Sequence, residues 1–267
     1  MKLKFITNAQ FYLSILTMVT FTSCSNYPID DPYFVDPDRQ KENIYYVPTT
    51  PNAPFLSKKS DLSFSILRSS DTKFTGMEAQ AAFLPTGHFG IIASYASLSN
   101  KSGIENFMDY NHFEAGGGYI KEMKNDFVFE SYAGIGTGKI RNGHYTGNSD
   151  IKLTNYFIQP SISIGNENVK FGFTTKLSGV HFTVIDTLFN TDREALSANE
   201  INSLYKQPFH ILLEPGFTFK AGWKNFLFQT SYFFSSDLTN SDLYRSKGNF
   251  SMGISLHFNT KEPLAKK

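Results

Sequence analysis

From Ser60 onward the chain alternates apolar and polar residues with a period of two, the pattern of a strand whose two faces meet unlike surroundings. Leu62, Phe64 and Ile66 alternate with Ser63 and Ser65. Phe226, Phe228, Tyr232 and Phe234 alternate with Gln229, Ser231 and Ser235, and Phe250 to Phe258 repeats the pattern with Ser251, Ser255 and His257. In the run Phe89, Ile91, Ala93, Tyr95, Ile92 interrupts the polar face. Counting such runs predicts about ten strands over residues 60–259. A single stretch, Asp192 to Lys206, reads as a helix. Thr191 with Glu194, and Ser197 with Glu200, have capping-box spacing, and Leu196, Leu204 and Tyr205 supply an apolar side.

Alternation does not say which face looks inward. A soluble barrel buries its apolar face, whereas a transmembrane barrel turns it to lipid. Two features favour lipid. Connections after even-numbered strands look short: Pro85 to His88, Lys121 to Asp126, Asn166 to Asn168 and Gly222 to Asn225. Most of those after odd-numbered strands look long: Ser97 to Asn111, Lys139 to Asp150, Thr183 to Gln207 and Ser236 to Lys247, the first near Ser69 to Lys73 being the exception. Short turns at one end and long loops at the other are the transmembrane-barrel rule, with the long loops extracellular. Aromatic residues also gather near the strand ends. Phe83, Phe89, Tyr119, Phe127, Phe171, Phe219, Phe226 and Phe258 lie toward the short turns, and Tyr95, Phe113, Tyr156, Phe209, Phe234 and Phe250 toward the long loops. Such rings settle at headgroup level. The expected fold is therefore all-β: an antiparallel up-and-down transmembrane β-barrel with one short loop helix, which is expected to cover the rim.

The polar face carries Glu78, Glu114, Glu130, Lys176, Glu214 and Lys220 near the strand centres. In a narrow lumen an unpaired charge is costly, so these residues are expected to form a network across it. Side chains nearly fill a barrel of about ten strands, whereas porins with aqueous channels have about 16–18. A filled lumen is expected. Pro160 and Pro215 fall within strands, and a local bulge is expected at each.

The N-terminus carries an address. Lys2 and Lys4 precede an apolar run from Phe11 to Phe21, which ends at Thr22-Ser23-Cys24. This is the layout of a signal peptide, too short to span a bilayer. Cys24, the single Cys of the chain, stands where cleavage would fall and has the position of a lipobox cysteine. Residues 25–58 hold six of the eleven prolines, a semi-rigid, extended composition. The expected organisation is a signal peptide at 1–23, a lipidated Cys24 with a Pro-rich periplasmic linker at 24–59, the barrel at 60–259 and a polar tail at 260–267.

Composition narrows the function more than it names it. With 27 Phe and 14 Tyr, 18 % charged residues and a net charge of +1, the chain suits a β-rich fold and lacks the basic excess of a nucleic-acid binder. None of the six His has HxH or HExxH spacing, and no cofactor is indicated. Asp109 with His112, and His144 with Asp150, share loops, the layout a rim-located catalytic pair would need; polar loops also contain such pairs by chance. Gly116 to Gly118 and Gly134, Gly136 and Gly138 lie in strands without a following helix, so they point to close packing rather than to phosphate binding.

The segments YYVPTTPNAPFLSKKSDLSFSI, NYFIQPSISIG, FHILLEPGFTFKAGWKNFLFQTSY and FSMGISLHF resemble small outer-membrane β-barrel lipoproteins of Gram-negative, Bacteroidota-type bacteria, over residues 45–259. The resemblance implies an outer-membrane location with no settled activity. Such barrels often end on a terminal Phe; here Phe258 is followed by Asn259 and the polar tail. The resulting expectation is a monomeric, non-enzymatic, lipid-anchored barrel with a structural or surface-interaction role. Its termini would lie in the periplasm. Its partners would be outer-membrane lipids, the barrel-insertion machinery and a surface partner reached through the long loops. Two alternatives stay open: a barrel enzyme acting on lipid or peptide, and a soluble lipid-tethered barrel with an apolar ligand inside.

Overall fold

The computed structural model describes residues 44–259 except 72, 101–106, 125, 145–146, 190–194, 224 and 240–244. The signal-peptide stretch, Cys24, the tail at 260–267 and the first capping pair, Thr191 and Glu194, lie outside the described residues. Eleven strands and one helix follow in order: β1 Asp61–Ser70, β2 Phe74–Phe83, β3 Phe89–Asn100, β4 Phe107–Glu122, β5 Phe127–His144, β6 Gly147–Gly165, β7 Val169–Phe189, α1 Ala195–Lys206, β8 Phe209–Trp223, β9 Phe226–Phe234, β10 Ser236–Asp237 and β11 Gly248–Asn259. Every pairing is antiparallel. Neighbours in sequence pair from β1 to β9, β9 pairs with β11, and β11 pairs with β1, so the sheet closes on itself. The two-residue β10 continues the line of β9 along β8. Ten long strands thus form a closed up-and-down barrel, as the alternation predicts.

The direction of the faces is plain. In β9, Phe226, Phe228, Tyr232 and Phe234 are exposed and Leu227, Gln229, Ser231 and Phe233 are buried. One outward row crosses the sheet in register as Ile91, Gly117, Ala133, Ile158, Leu177 and Leu213. Nearer the long loops comes Tyr95, Phe113, Thr137, Thr154, His181 and Phe209, and beyond it the wholly polar row Ser97, Asn111, Lys139, Lys152 and Thr183. Toward the short turns Phe89 lies opposite Tyr119. Aromatic rings also occur between the two bands. Phe173 packs on Phe217 with centroids 5.2 Å apart.

Three local expectations need correcting. Two of the segments expected to be long loops, Ser97 to Asn111 and Lys139 to Asp150, are largely strand where described, and Thr183 to Gln207 is strand as far as Phe189. β5 runs to His144 and β6 starts at Gly147, so Lys139 to Asp150 is a hairpin extension of the wall. Its outward residues are charged, with Asp150 bonded to Lys139 (2.7 Å) and Arg141 (3.0 Å). Ladder hydrogen bonding does not depend on apolar neighbours, so the strands outlast the apolar signal that reveals them. The second correction concerns the prolines. Neither lies at a register shift: Ile158 pairs with Leu177 and Ser161 with Thr174 on either side of Pro160, and Pro215 itself pairs with Thr175. In each case the ladder is interrupted without an added residue, between β6 and β7 at Pro160 and between β8 and the β9–β10 line at Pro215. The register shift of this wall lies at Asp150/Ile151 instead. Third, in α1, Ile201 and Leu204 are buried, whereas Tyr205, expected on the apolar side, is 61 % exposed. The helix packs against β7, and its Ile201 and Leu204 join the apolar cluster that includes Phe182 and Leu212.

Candidate functional site

The interior is organised around a length of chain that precedes the first strand. Residues 44–57, expected in an extended tether outside the barrel, lie inside it, with Tyr45, Tyr46, Val47, Phe55 and Leu56 all buried. The segment crosses the lumen from one mouth to the other. At the long-loop end Asn142 Nδ2 donates to the Ile44 carbonyl (3.2 Å), the Ser246 N–H to the Tyr46 carbonyl (3.0 Å), and Tyr46 bridges to Arg245. Midway, Gln80 donates to the Thr50 carbonyl (2.7 Å) and Gln159 to the Asn52 carbonyl (2.9 Å). At the short-turn end Ser57 and Lys58 N–H groups bind Asp61 at the start of β1 (3.0 and 2.7 Å). Asn259 is anchored at that same rim, opposite Asp61. The described chain therefore begins at one mouth and ends at the other.

The composition of the segment explains how it can live there. Residues 44–57 contain no charged side chain, and Pro48, Pro51 and Pro54 recur every third residue. Proline keeps the chain extended and removes an N–H that would need a buried partner. Phe55 adopts the left-handed conformation (φ 55°), which any non-glycine residue holds only against steric cost. At that turn its N–H and that of Leu56 both point at Glu130 (3.3 and 3.0 Å).

The six polar-face residues are all buried. Only Glu114 and Lys176 meet each other directly, as an ion pair across the lumen. Asn155 Nδ2 donates to the same Glu114 oxygen (2.7 Å), and His112 Nε2 lies 3.0 Å from Asn155 Oδ1. Asn155 reaches Glu114 over Gly136, because a Cβ there would fall 2.2 Å from Asn155 Oδ1 and 2.7 Å from Glu114 Cγ. The other four engage the inner segment. Glu78 accepts from the Thr50 N–H (2.9 Å), Asn249 Nδ2 (3.1 Å) and the Ser69 hydroxyl. Glu130 accepts from Phe55 and Leu56, Glu214 accepts from the Tyr46 hydroxyl (3.0 Å), and Lys220 Nζ lies 5.1 Å from the centroid of the Phe55 ring. The polar level is bounded by two apolar ones. Ile44 to Val47 pack with Phe74, Tyr110, Ile140 and Leu153 near the long loops, and Leu56 packs with Leu84, Ile92, Ile120 and Tyr132 near the short turns. This is why Ile92 breaks its polar face.

Residues the sequence reading missed include Tyr46, Thr50, Asn52 and Phe55 of the segment, and, of the wall, Asn155, Asn249 and Lys170, whose Nζ donates to the Phe55 carbonyl (3.1 Å). The available signal was the sudden loss of charge after Glu42, in a stretch otherwise read from its prolines alone. The Asp109–His112 pair does not assemble. Asp109 is exposed on the outer face of β4 and His112 is buried on the inner one, while Asp150 is held by Lys139 and Arg141 and the side chain of His144 is not described. A pair the sequence did not suggest, His210 Nδ1 and Asp237 Oδ2 (3.1 Å), has the other ring nitrogen on the Gln207 carbonyl (2.9 Å). It fastens the exit of α1 to the rim. Among the described residues no group of three or more His, Cys, Asp or Glu is placed to hold a metal ion.

No family model and no curated protein matches the chain. Among solved structures it is similar to Ail, the attachment invasion locus protein of Yersinia pestis (10 % identity, 75 % of this chain and 99 % of that one, TM-score 0.35). It is also similar to the translocator domain of the autotransporter NalP from Neisseria meningitidis (7 %, 74 % and 87 %, TM-score 0.44). A third is the alcaligin outer-membrane receptor FauA from Bordetella pertussis (11 %, 74 % and 41 %, TM-score 0.21). The fold rests on the closed strand ladder itself: the chain is an antiparallel ten-stranded β-barrel with its apolar face outward and its own preceding segment inside.

Proposed function

We propose that this protein is a monomeric outer-membrane β-barrel, non-conducting because its lumen is occupied, anchored in addition through lipid on Cys24, and serving a structural or surface-interaction role at its long-loop end. The observation that carries the membrane reading is the outer wall. Phe, Ile, Leu and Tyr side chains such as Phe113, Ile135, Ile158 and Phe217 stand about half exposed around it, and a wholly polar row ends the band on the long-loop side. Leaving each such residue in water forfeits about 1 kcal/mol, half of what full burial gains. Summed over the wall, this reaches tens of kcal/mol, above the ~5–15 kcal/mol net stability of a domain. A soluble carrier would need the reverse arrangement, and the volume such a ligand would take is filled here by residues 44–57.

The test is gel mobility in detergent with and without boiling, together with planar-bilayer recording. A folded band that shifts only on boiling, and baseline conductance, are expected. Release from membranes without detergent would defeat the membrane reading, and steady conductance by the intact chain would defeat the closed lumen. Fatty-acid labelling of the wild type against Cys24→Ser tests the anchor separately.

A further inference from the structure

We infer that the chain preceding Ile44 leaves the barrel through the long-loop mouth, so that Cys24 lies on the side of the long loops and opposite the C-terminal tail. The inference rests on the membrane-spanning reading above and goes beyond it, because it inverts the expected periplasmic tether.

The direction of residues 44–57 is set at three depths. The Ile44 and Tyr46 carbonyls are held by Asn142 and Ser246 at the long-loop mouth, Thr50 by Gln80 and Glu78 at mid-depth, and the Ser57 and Lys58 N–H groups by Asp61 at the opposite rim. The chain cannot turn back inside. The apolar layers around Tyr46 and around Leu56 close on the single strand of chain already there. Nor can it return outside the wall. A stretch holding Asp30, Asp31, Asp36 and Asp38 would have to cross hydrocarbon, where each unsatisfied backbone group alone costs several kcal/mol. Only about 20 residues separate Cys24 from Ile44, a reach of at most ~70 Å. That is ample for Cys24 to sit at the membrane face around the long-loop mouth. An acyl anchor on Cys24 would enter the leaflet on that side. With the long loops outside, the barrel would present its own N-terminal arm at the cell surface.

The experiment places one epitope after Asp36, one within 240–244 and one after Lys267, in separate full-length chains. Access of antibody to intact and permeabilised cells is compared. The Asp36 epitope and the loop epitope should share one side, and the Lys267 epitope should lie on the other. Arg39→Cys, probed with a membrane-impermeant maleimide against the wild type, repeats the reading with a minimal change and should label with the loop epitope's pattern. If the Asp36 epitope and Arg39→Cys behave like the Lys267 epitope, the inference is overturned while the membrane barrel stands. If all three epitopes share one side and the protein leaves the membrane without detergent, the membrane reading falls and this inference falls with it.

Discussion

The Tyr46 hydroxyl donates to Glu214 Oε1 at 3.0 Å, joining two residues 168 positions apart inside the barrel. In the sheet, Glu214 is the cross-strand neighbour of Lys176. That lysine reaches instead across the lumen to Glu114, and the glutamate is met by the inner segment. The wall and the chain within it are thus completed by each other. Tyr46→Phe should cost about 1–3 kcal/mol, the price of a buried acceptor left short of a donor. The temperature at which the folded gel band is lost should fall, and adding Glu214→Gln should cost less than the sum of the two single changes.

Lys176→Met leaves the Glu114 charge buried without its counter-ion. A loss of ~3–5 kcal/mol is expected, because breaking a buried pair strands the remaining charge. The double replacement Lys176→Met with Glu114→Leu should recover much of it. Urea midpoints in detergent would check this; equal loss in single and double variants would show that the pair is not coupled.

Gly136→Ala introduces a Cβ 2.2 Å from Asn155 Oδ1, and overpacking of this kind costs about 1–3 kcal/mol. Gly87→Ala, whose Cβ would meet nothing within 4 Å, serves as the control and should behave like the wild type in the same melting assay.

Deleting residues 44–56 removes the apolar and hydrogen-bonded filling of the lumen. Single channels above the wild-type baseline should appear in planar bilayers. A deletion variant that folds by gel shift yet stays silent would mean that the wall side chains alone seal the barrel.

The outer band can be probed by depth. Ile158→Arg, in the middle aliphatic row, should destabilise by roughly 2–4 kcal/mol in lipid, the penalty for a charge at the midplane of a barrel wall. Thr183→Arg, in the polar row beyond the aromatics, should be tolerated. Equal tolerance of the two would remove the hydrocarbon-facing assignment.

How much of this could be read from sequence follows from what generates each signal. Alternation exists wherever two faces differ, so the ten strands and the outward Phe, Ile and Tyr were legible. It loses its phase where the outer face turns polar and the inner one carries the apolar residues, as Ile140 and Ile151 do beyond Lys139 and Lys152, which is why the extensions of β5 and β6 looked like loop. It inverts where an inner residue meets something apolar, as Ile92 does against Leu56. Glu78, Glu130 and Glu214 were recognisable as buried charges, but not their partners Thr50, Phe55, Leu56 and Tyr46, because these lie on the inner segment and not on a neighbouring strand.

By itself the sequence determined the periodicity, the greasy outer face and the set of inward charges, since each is a local consequence of side-chain order along a pleated strand. Only the tertiary structure decided that residues 44–57 run inside the barrel. A Pro-rich, uncharged stretch is equally extended in water and in a lumen; its place is set by closure of the wall around it, where Glu78, Glu130 and Glu214 present acceptors that the segment's N–H and O–H groups satisfy. A contact between residues so distant in the chain leaves no periodic trace in it.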